Sequence, residues 1–186
     1  MKQSSWLLRG LASLSLSLLA LAGTGLASRP NAAQTAHGSF SYEPASLTPV
    51  TFTDGLGGPF TRSYTVSAPK DQEQSSVDAD FKISEIIKVA EDDGTADGAK
   101  LNPPVAIDPK SDLYATLAGA ISFNPSTAKF SPGSSATIDV KLSSPGYGNF
   151  GYYKIKLSAL AQKAGVGAGD GSSLLLELRA PDPFEH

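Results

Sequence analysis

The sequence predicts an all-β protein, a single antiparallel β-sandwich of about seven to eight strands that follows an N-terminal export signal. Short runs in which apolar and polar residues alternate recur along the chain, as they do in half-buried strands. Turn residues separate these runs, with 18 glycines and 13 prolines among 186 residues. No stretch has the periodicity of an amphipathic helix of three or more turns.

Residues 1–27 have the features of a signal peptide. Lys2 and Arg9 accompany an apolar stretch at 11–22 that is too short to span a membrane. Small residues at Gly25 and Ala27 favour cleavage after residue 27, and a retained anchor helix is the alternative. We expect a flexible leader at 28–37, the sandwich domain at 38–181 and a tail at 182–186. The protein is then secreted or periplasmic.

Composition excludes several classes of function. The formal charge is −3, and the two basic residues Lys2 and Arg9 are the only charges before residue 28, so removing that segment leaves −5. This acidic balance argues against binding to nucleic acids and to anionic membranes, since either would need a basic face. The absence of cysteine excludes a lipoprotein anchor, zinc–thiolate sites, thiol redox chemistry and cysteine nucleophiles.

About eight runs are strand candidates, and they lie at 40–43, 50–53, 62–67, 79–83, 113–123, 137–142, 152–157 and 174–178. After residue 83 the alternation breaks phase at Ile86, Ile87 and Val89, which indicates either a bulge or a helical turn. The apolar positions of these runs predict a core composed of Phe52, Tyr64, Val66, Phe81, Ile83, Ile121, Phe123, Ile138, Val140, Leu142, Tyr153, Ile155, Leu157, Leu174 and Leu176.

Two short segments of the sequence are similar to each other, which leaves a second domain organisation open. Residues 40–46 (FSYEPAS) are similar to residues 121–127 (ISFNPST). Two tandem repeats of about four strands each would be too small to close a two-sheet core alone. The sequence therefore favours one sandwich over two small repeats.

Residues 119–178 resemble a known family. An apolar strand ends at Pro125, Pro132-Gly133-Ser134 precedes the alternating strand at 137–142, and Gly151-Tyr152 opens another alternating strand. This order resembles the bacterial extracellular immunoglobulin-like (fibronectin-type-III-like) domains found beside glycoside hydrolases and in cell-surface proteins. The resemblance implies an immunoglobulin-like sandwich and leaves the ligand undefined, because one fold serves many functions.

The stretch 145–153 (PGYGNFGYY) is the main candidate for a functional surface. Four aromatic residues interleaved with glycines can form a contact for another protein or for sugar rings. We predict an interaction surface that includes Tyr147, Phe150 and Tyr152. In the alternative, Tyr153 points into the core, and Tyr152 donates its hydroxyl to the preceding corner, as a tyrosine at this place in a sandwich often does. Only Tyr147 and Phe150 are then partly exposed.

Three other motifs carry weaker signals. Asp92, Asp93 and Asp97 lie in an acidic turn that could bind calcium, but their spacing does not fit an EF-hand loop, so a solvated turn is favoured. The glycine-rich stretch 165–171 lacks the spacing of a phosphate-binding loop. The two histidines, His37 and His186, stand near the chain ends, which argues against a catalytic triad.

Together these features predict an exported, non-catalytic module with a structural or protein-interaction role at the cell envelope or outside the cell. We expect no enzymatic activity and no cofactor. Two alternatives remain, a carbohydrate-binding accessory domain and a fimbrial-type subunit completed by a donor strand from a neighbour. The expected partner is another envelope or extracellular protein, or a polysaccharide.

Overall fold

A computed structural model describes residues 38–53, 57–163 and 165–181. The expected signal peptide at 1–27, the leader at 28–37 and the tail at 182–186 lie outside the described residues. Within them the chain forms ten strands and one helix, which are β1 (Ser41–Glu43), β2 (Val50–Thr53), β3 (Phe60–Ser67), β4 (Val77–Glu91), β5 (Ala99–Ala106), α1 (Asp112–Gly119), β6 (Ile121–Asn124), β7 (Thr127–Phe130), β8 (Ser135–Leu142), β9 (Gly151–Ala161) and β10 (Ser172–Arg179).

The strands form two sheets. One sheet has the order β1-β3-β8-β6, and the other has the order β2-β10-β9-β4-β5 with β7 also paired to β4. These orders correspond to A-B-E-D and to A′-G-F-C-C′ of an immunoglobulin-like sandwich. The predicted all-β sandwich is confirmed. The strand count is ten rather than seven to eight, and the β2–β10 pair is parallel, whereas the other strand pairs of the described chain are antiparallel.

The N-terminal part of the domain crosses between the two sheets. The Phe40 amide donates to the Gly167 carbonyl, which lies just before β10 of the six-stranded sheet. β1 then pairs with β3 of the four-stranded sheet. Further along, the Leu47 amide donates to the Ser173 carbonyl of β10. A similar crossing occurs where β6 of the four-stranded sheet is followed by β7 beside β4. In both sheets, strands from the first half of the chain pair with strands from the second half.

The core lies between the sheets and matches the alternation in the sequence. Thirteen of the fifteen predicted core residues are buried, whereas Ile83 and Phe123 are partly buried against the others. Phe130 was not among the predicted residues, although it is fully buried with its ring edge-on to those of Phe40 and Phe81. Buried edge-to-face contacts between aromatic rings make a large contribution to the stability of a core.

Two segments differ from the strand pattern. The start of the predicted run at 113–123 is the two-turn helix α1, because Ser111 accepts a hydrogen bond from the Tyr114 amide and caps its N-terminus. The phase break after residue 83 is a pair of bulges in β4, at Ser84 and at Val89, where the pairing with β9 shifts register. No helix in the described ranges is long and apolar enough to cross a membrane.

Candidate functional site

The loop between β8 and β9, residues 143–150, carries the most exposed large apolar side chain of the described chain. Tyr147 is 66% exposed. Its ring centroid lies 5.3 Å from that of Phe150, and the ring planes meet at 83°. Such an edge-to-face pair is a favourable aromatic geometry that holds both rings in a fixed relation. We call residues 143–150 the aromatic loop.

Glycines allow the backbone conformation of this loop. Gly146 and Gly148, on either side of Tyr147, have φ values of +90° and +99°, which a residue with a side chain rarely adopts. The Ser143 amide donates to the Ala120 carbonyl where the loop begins. At the other end, Gly151 has a φ of +139°, and a Cβ there would lie 3.1 Å from the Ala90 carbonyl oxygen, so glycine suits the start of β9.

Tyr153 anchors the loop to the core. Its ring is 1% exposed, and its hydroxyl donates to the Asn149 carbonyl over 3.2 Å. This is the tyrosine corner of immunoglobulin-like sandwiches. Burial, with a smaller contribution from the negative charge of Glu91, raises the pKa of Tyr153 to about 12. The hydroxyl therefore remains a hydrogen-bond donor at any physiological pH.

Tyr152 points to the opposite face of the sheet, and its side chain is not part of the aromatic loop's surface. It is 3% exposed, because its hydroxyl donates to the Thr95 and Ala96 carbonyls of the acidic turn. The Arg179 guanidinium lies 5.7 Å from its ring centroid and also donates to the Ala96 carbonyl. The structure thus brings Tyr147 and Phe150 together and separates Tyr152 from them. Adjacent residues of a strand point to opposite faces of the sheet, so the neighbours Tyr152 and Tyr153 have different surroundings.

The acidic turn at 92–98 is held by hydrogen bonds from within the protein. Asp92 accepts from the Gly94 and Ala180 amides with its two carboxylate oxygens. Asp93 accepts from the amide and hydroxyl of Thr95, which hold the pKa of its carboxyl below the usual range. Asp97 lines a cavity beside Tyr152. No group of three or more acidic or histidine side chains within the described ranges could hold a metal ion.

The remaining candidate motifs are the two histidines and the glycine-rich stretch. His37 and His186 lie outside the described residues. The glycine-rich stretch at 165–171 leads into β10 rather than into a helix, and Gly167 exchanges backbone hydrogen bonds with Gly38 and Phe40. The Tyr64 hydroxyl is buried without a hydrogen-bond partner in the described chain, and burial raises its pKa well above the usual range.

Comparison with known proteins identifies no family. No protein-family model and no curated protein matches the chain. Among solved structures, the periplasmic chaperone SfaE is 12% identical with a TM-score of 0.35, and covers 80% of this chain and 59% of its own. The CsuC–CsuE chaperone–tip adhesion subunit complex of Acinetobacter baumannii is 10% identical with a TM-score of 0.37, over 75% of this chain and 56% of its own.

A family 123 glycoside hydrolase from Clostridium perfringens is 8% identical with a TM-score of 0.42, over 75% of this chain and 27% of its own. The matched part is thus less than two thirds of each of the three proteins. Likeness at this level carries no functional argument. The immunoglobulin-like assignment depends on the strand order of the chain itself.

Proposed function

We propose that this chain is an exported, non-catalytic immunoglobulin-like module that binds another protein at the cell envelope or outside the cell through its aromatic loop. The observation that carries the proposal is the placement of Tyr147. Its ring is 66% exposed on a short loop, yet the loop is fixed to the core through Tyr153. An exposed aromatic residue on a rigid support loses little conformational entropy on binding, and this is typical of interface anchors.

The ring geometry favours a protein partner over a polysaccharide. With the planes of Tyr147 and Phe150 at 83°, the two rings cannot both lie flat against one extended sugar chain. They form a wedge that presents one face and one edge. A wedge of this kind fits a pocket, and protein interfaces concentrate their binding energy where aromatic side chains fill pockets.

The distribution of ionisable groups supports a non-catalytic role. Catalytic groups usually lie together in a cleft, where neighbours and burial perturb their pKa values. In the part of the chain that the structure describes, the groups whose pKa is raised are tyrosines, and burial is the leading cause of each shift. Asp93, whose pKa is lowered by its hydrogen bonds to Thr95, is a fully exposed turn residue and does not lie in a cleft.

The fimbrial-type alternative makes a distinct structural demand. A subunit completed by donor-strand exchange needs a vacant strand position. In the described chain the positions from A to G are filled, and β10 pairs with β9 on one side and with β2 on the other. A donor strand from a neighbour would therefore have to add at a sheet edge rather than fill a gap between strands.

The proposal is tested by retention of partners on the immobilised protein. Protein purified after export is incubated with envelope and culture-fluid fractions of the cells that make it, and bound proteins are quantified by mass spectrometry. We expect Tyr147→Ala combined with Phe150→Ala to abolish retention without lowering the melting temperature. Leu160→Ala removes another exposed apolar side chain, 42% exposed, and should leave retention unchanged.

Equal retention by the double variant and the wild type would refute the proposal. A parallel assay uses insoluble cellulose and chitin as the ligands. Binding to either polysaccharide that disappears in the double variant would support the carbohydrate-binding alternative instead.

A further inference from the structure

The outer face of the six-stranded sheet carries aliphatic side chains that remain partly exposed to solvent. The register places Leu175 of β10, Lys154 of β9 and Ile87 of β4 side by side in one row. Leu175, Ile87, Val89 and Leu101 are only partly buried. An outer sheet face that meets only water is usually polar, so a partly apolar one indicates a contact surface.

Two cavities flank this row and turn the face into a trough. A cavity of about 380 Å³ lies between the row and the acidic turn and is lined by Val89, Leu101, Tyr152 and Leu175 among others. A cavity of about 330 Å³ lies on the other side, where Glu85, Lys154, Lys156 and Ser173 contribute to its walls. We call this surface the outer trough.

The two ends of the outer trough differ in their charged residues: aspartates of the acidic turn lie at one end, together with Lys100, and lysines lie at the other. At one end, the acidic turn is folded over the face through the Tyr152 hydroxyl. On the side of the row away from the acidic turn, Lys156 of β9 and Lys82 of β4 follow Lys154 of the row itself, and none of the three forms an ion pair within the described ranges. Glu85 and Asp170 also lie at the lysine end, so a polyanion would meet carboxylates at both ends. A protein face with both signs of charge is the better match.

We propose that the outer trough binds a second copy of this chain, with the acidic turn of each copy over Lys82, Lys154 and Lys156 of the other. The acidic turn and the lysines lie on the same face. A two-fold axis across the strands therefore satisfies both contacts in one interface and closes the assembly as a dimer. The same axis brings the partly buried aliphatic side chains of the two copies together at the centre.

The size of the face sets the expected strength. Four strands at about 4.8 Å and roughly seven residues at about 3.4 Å give a projected area of roughly 450 Å². A standard interface buries roughly 800 Å² per partner. The dimer should therefore form at high protein concentration and dissociate on dilution. The aromatic loop is not part of this interface, so dimerisation and partner retention can fail independently.

Sedimentation velocity of the exported protein between about 1 and about 500 µM tests the proposal, because mass action favours the dimer at the high end. We expect Lys154→Glu with Lys156→Glu, and separately Asp93→Lys with Asp97→Lys, to raise the dissociation constant about tenfold or more. The two sets combined should restore dimerisation. The matched control is Lys110→Glu with Lys141→Glu, two exposed lysines elsewhere on the domain.

Three results would overturn the proposal. They are a wild-type monomer at every concentration, a dimer that neither charge reversal weakens, and a combined variant that stays monomeric while its melting temperature equals that of the wild type. Because the wild type alone can give the first result, the proposal remains falsifiable even if a variant fails to fold. Added salt should weaken the wild-type dimer, since it screens exposed charges.

Discussion

Removal of a single oxygen atom from Tyr153 tests whether the corner tyrosine supports the aromatic loop. Tyr153→Phe keeps the buried ring and its packing, and it removes the hydrogen bond of 3.2 Å to the Asn149 carbonyl. A hydrogen bond of this kind contributes about 1 kcal/mol to stability. For a domain of this size that corresponds to a fall in melting temperature of roughly 2–4 °C.

Loss of the Tyr153 hydrogen bond should also affect the aromatic loop. Without the bond, residues 143–150 sample more conformations before binding, so ordering them costs more free energy and partner retention should weaken although Tyr147 and Phe150 are intact. Urea unfolding gives the stability change, and the retention assay gives the binding change. Tyr114→Phe is the control, because the Tyr114 hydroxyl has no hydrogen-bond partner among the residues described. A Tyr153→Phe protein with wild-type stability and wild-type retention would refute the reasoning.

Three further predictions concern the turn and the buried phenols. Gly98→Ala should lower the free energy of unfolding in urea more than Gly94→Ala does. A Cβ at Gly98 would lie 2.4 Å from the Glu91 carbonyl oxygen and the Tyr152 ring, whereas a Cβ at Gly94 has open space. Equal losses of unfolding free energy would contradict this. The free energy of unfolding should stay level up to about pH 10 and fall as the pH rises towards 12. Burial raises the pKa of Tyr153 to about 12, so the phenol of the unfolded chain loses its proton at a lower pH than that of the folded chain. An unfolding free energy that increases above pH 10 would refute this prediction. Calcium should leave the melting temperature unchanged, because no three acidic side chains within the described ranges are placed to hold a metal ion. A rise of several degrees would restore the calcium hypothesis.

Alternation along the chain was sufficient to predict the sandwich and most of its core. The predicted run at 137–142 lies within β8, and the run at 152–157 lies within β9. In these strands one face is buried, so the two-residue period is visible in the sequence. The phase break at Ile86 was also visible, but periodicity alone could not distinguish a bulge from a helical turn.

The sequence could not reveal features that depend on long-range contacts. Alternation shows that Tyr152 and Tyr153 point to opposite faces, but the face that meets the core is set by pairing with strands far along the chain. Tyr153, not Tyr152, forms the corner, and Tyr152 is buried only because the acidic turn folds back onto it. Helix α1 was missed because eight residues are too few to establish a helical period within an apolar run.

Photo-crosslinking in living cells tests the central claim most directly, namely that the aromatic loop contacts another protein. Incorporation of p-benzoylphenylalanine in place of Tyr147, followed by irradiation, should yield a covalent adduct with one dominant protein, and the same amino acid in place of Leu160 should not yield that adduct. A protein that is exported and folded but gives no adduct at position 147, or gives the same adducts at both positions, would contradict the account.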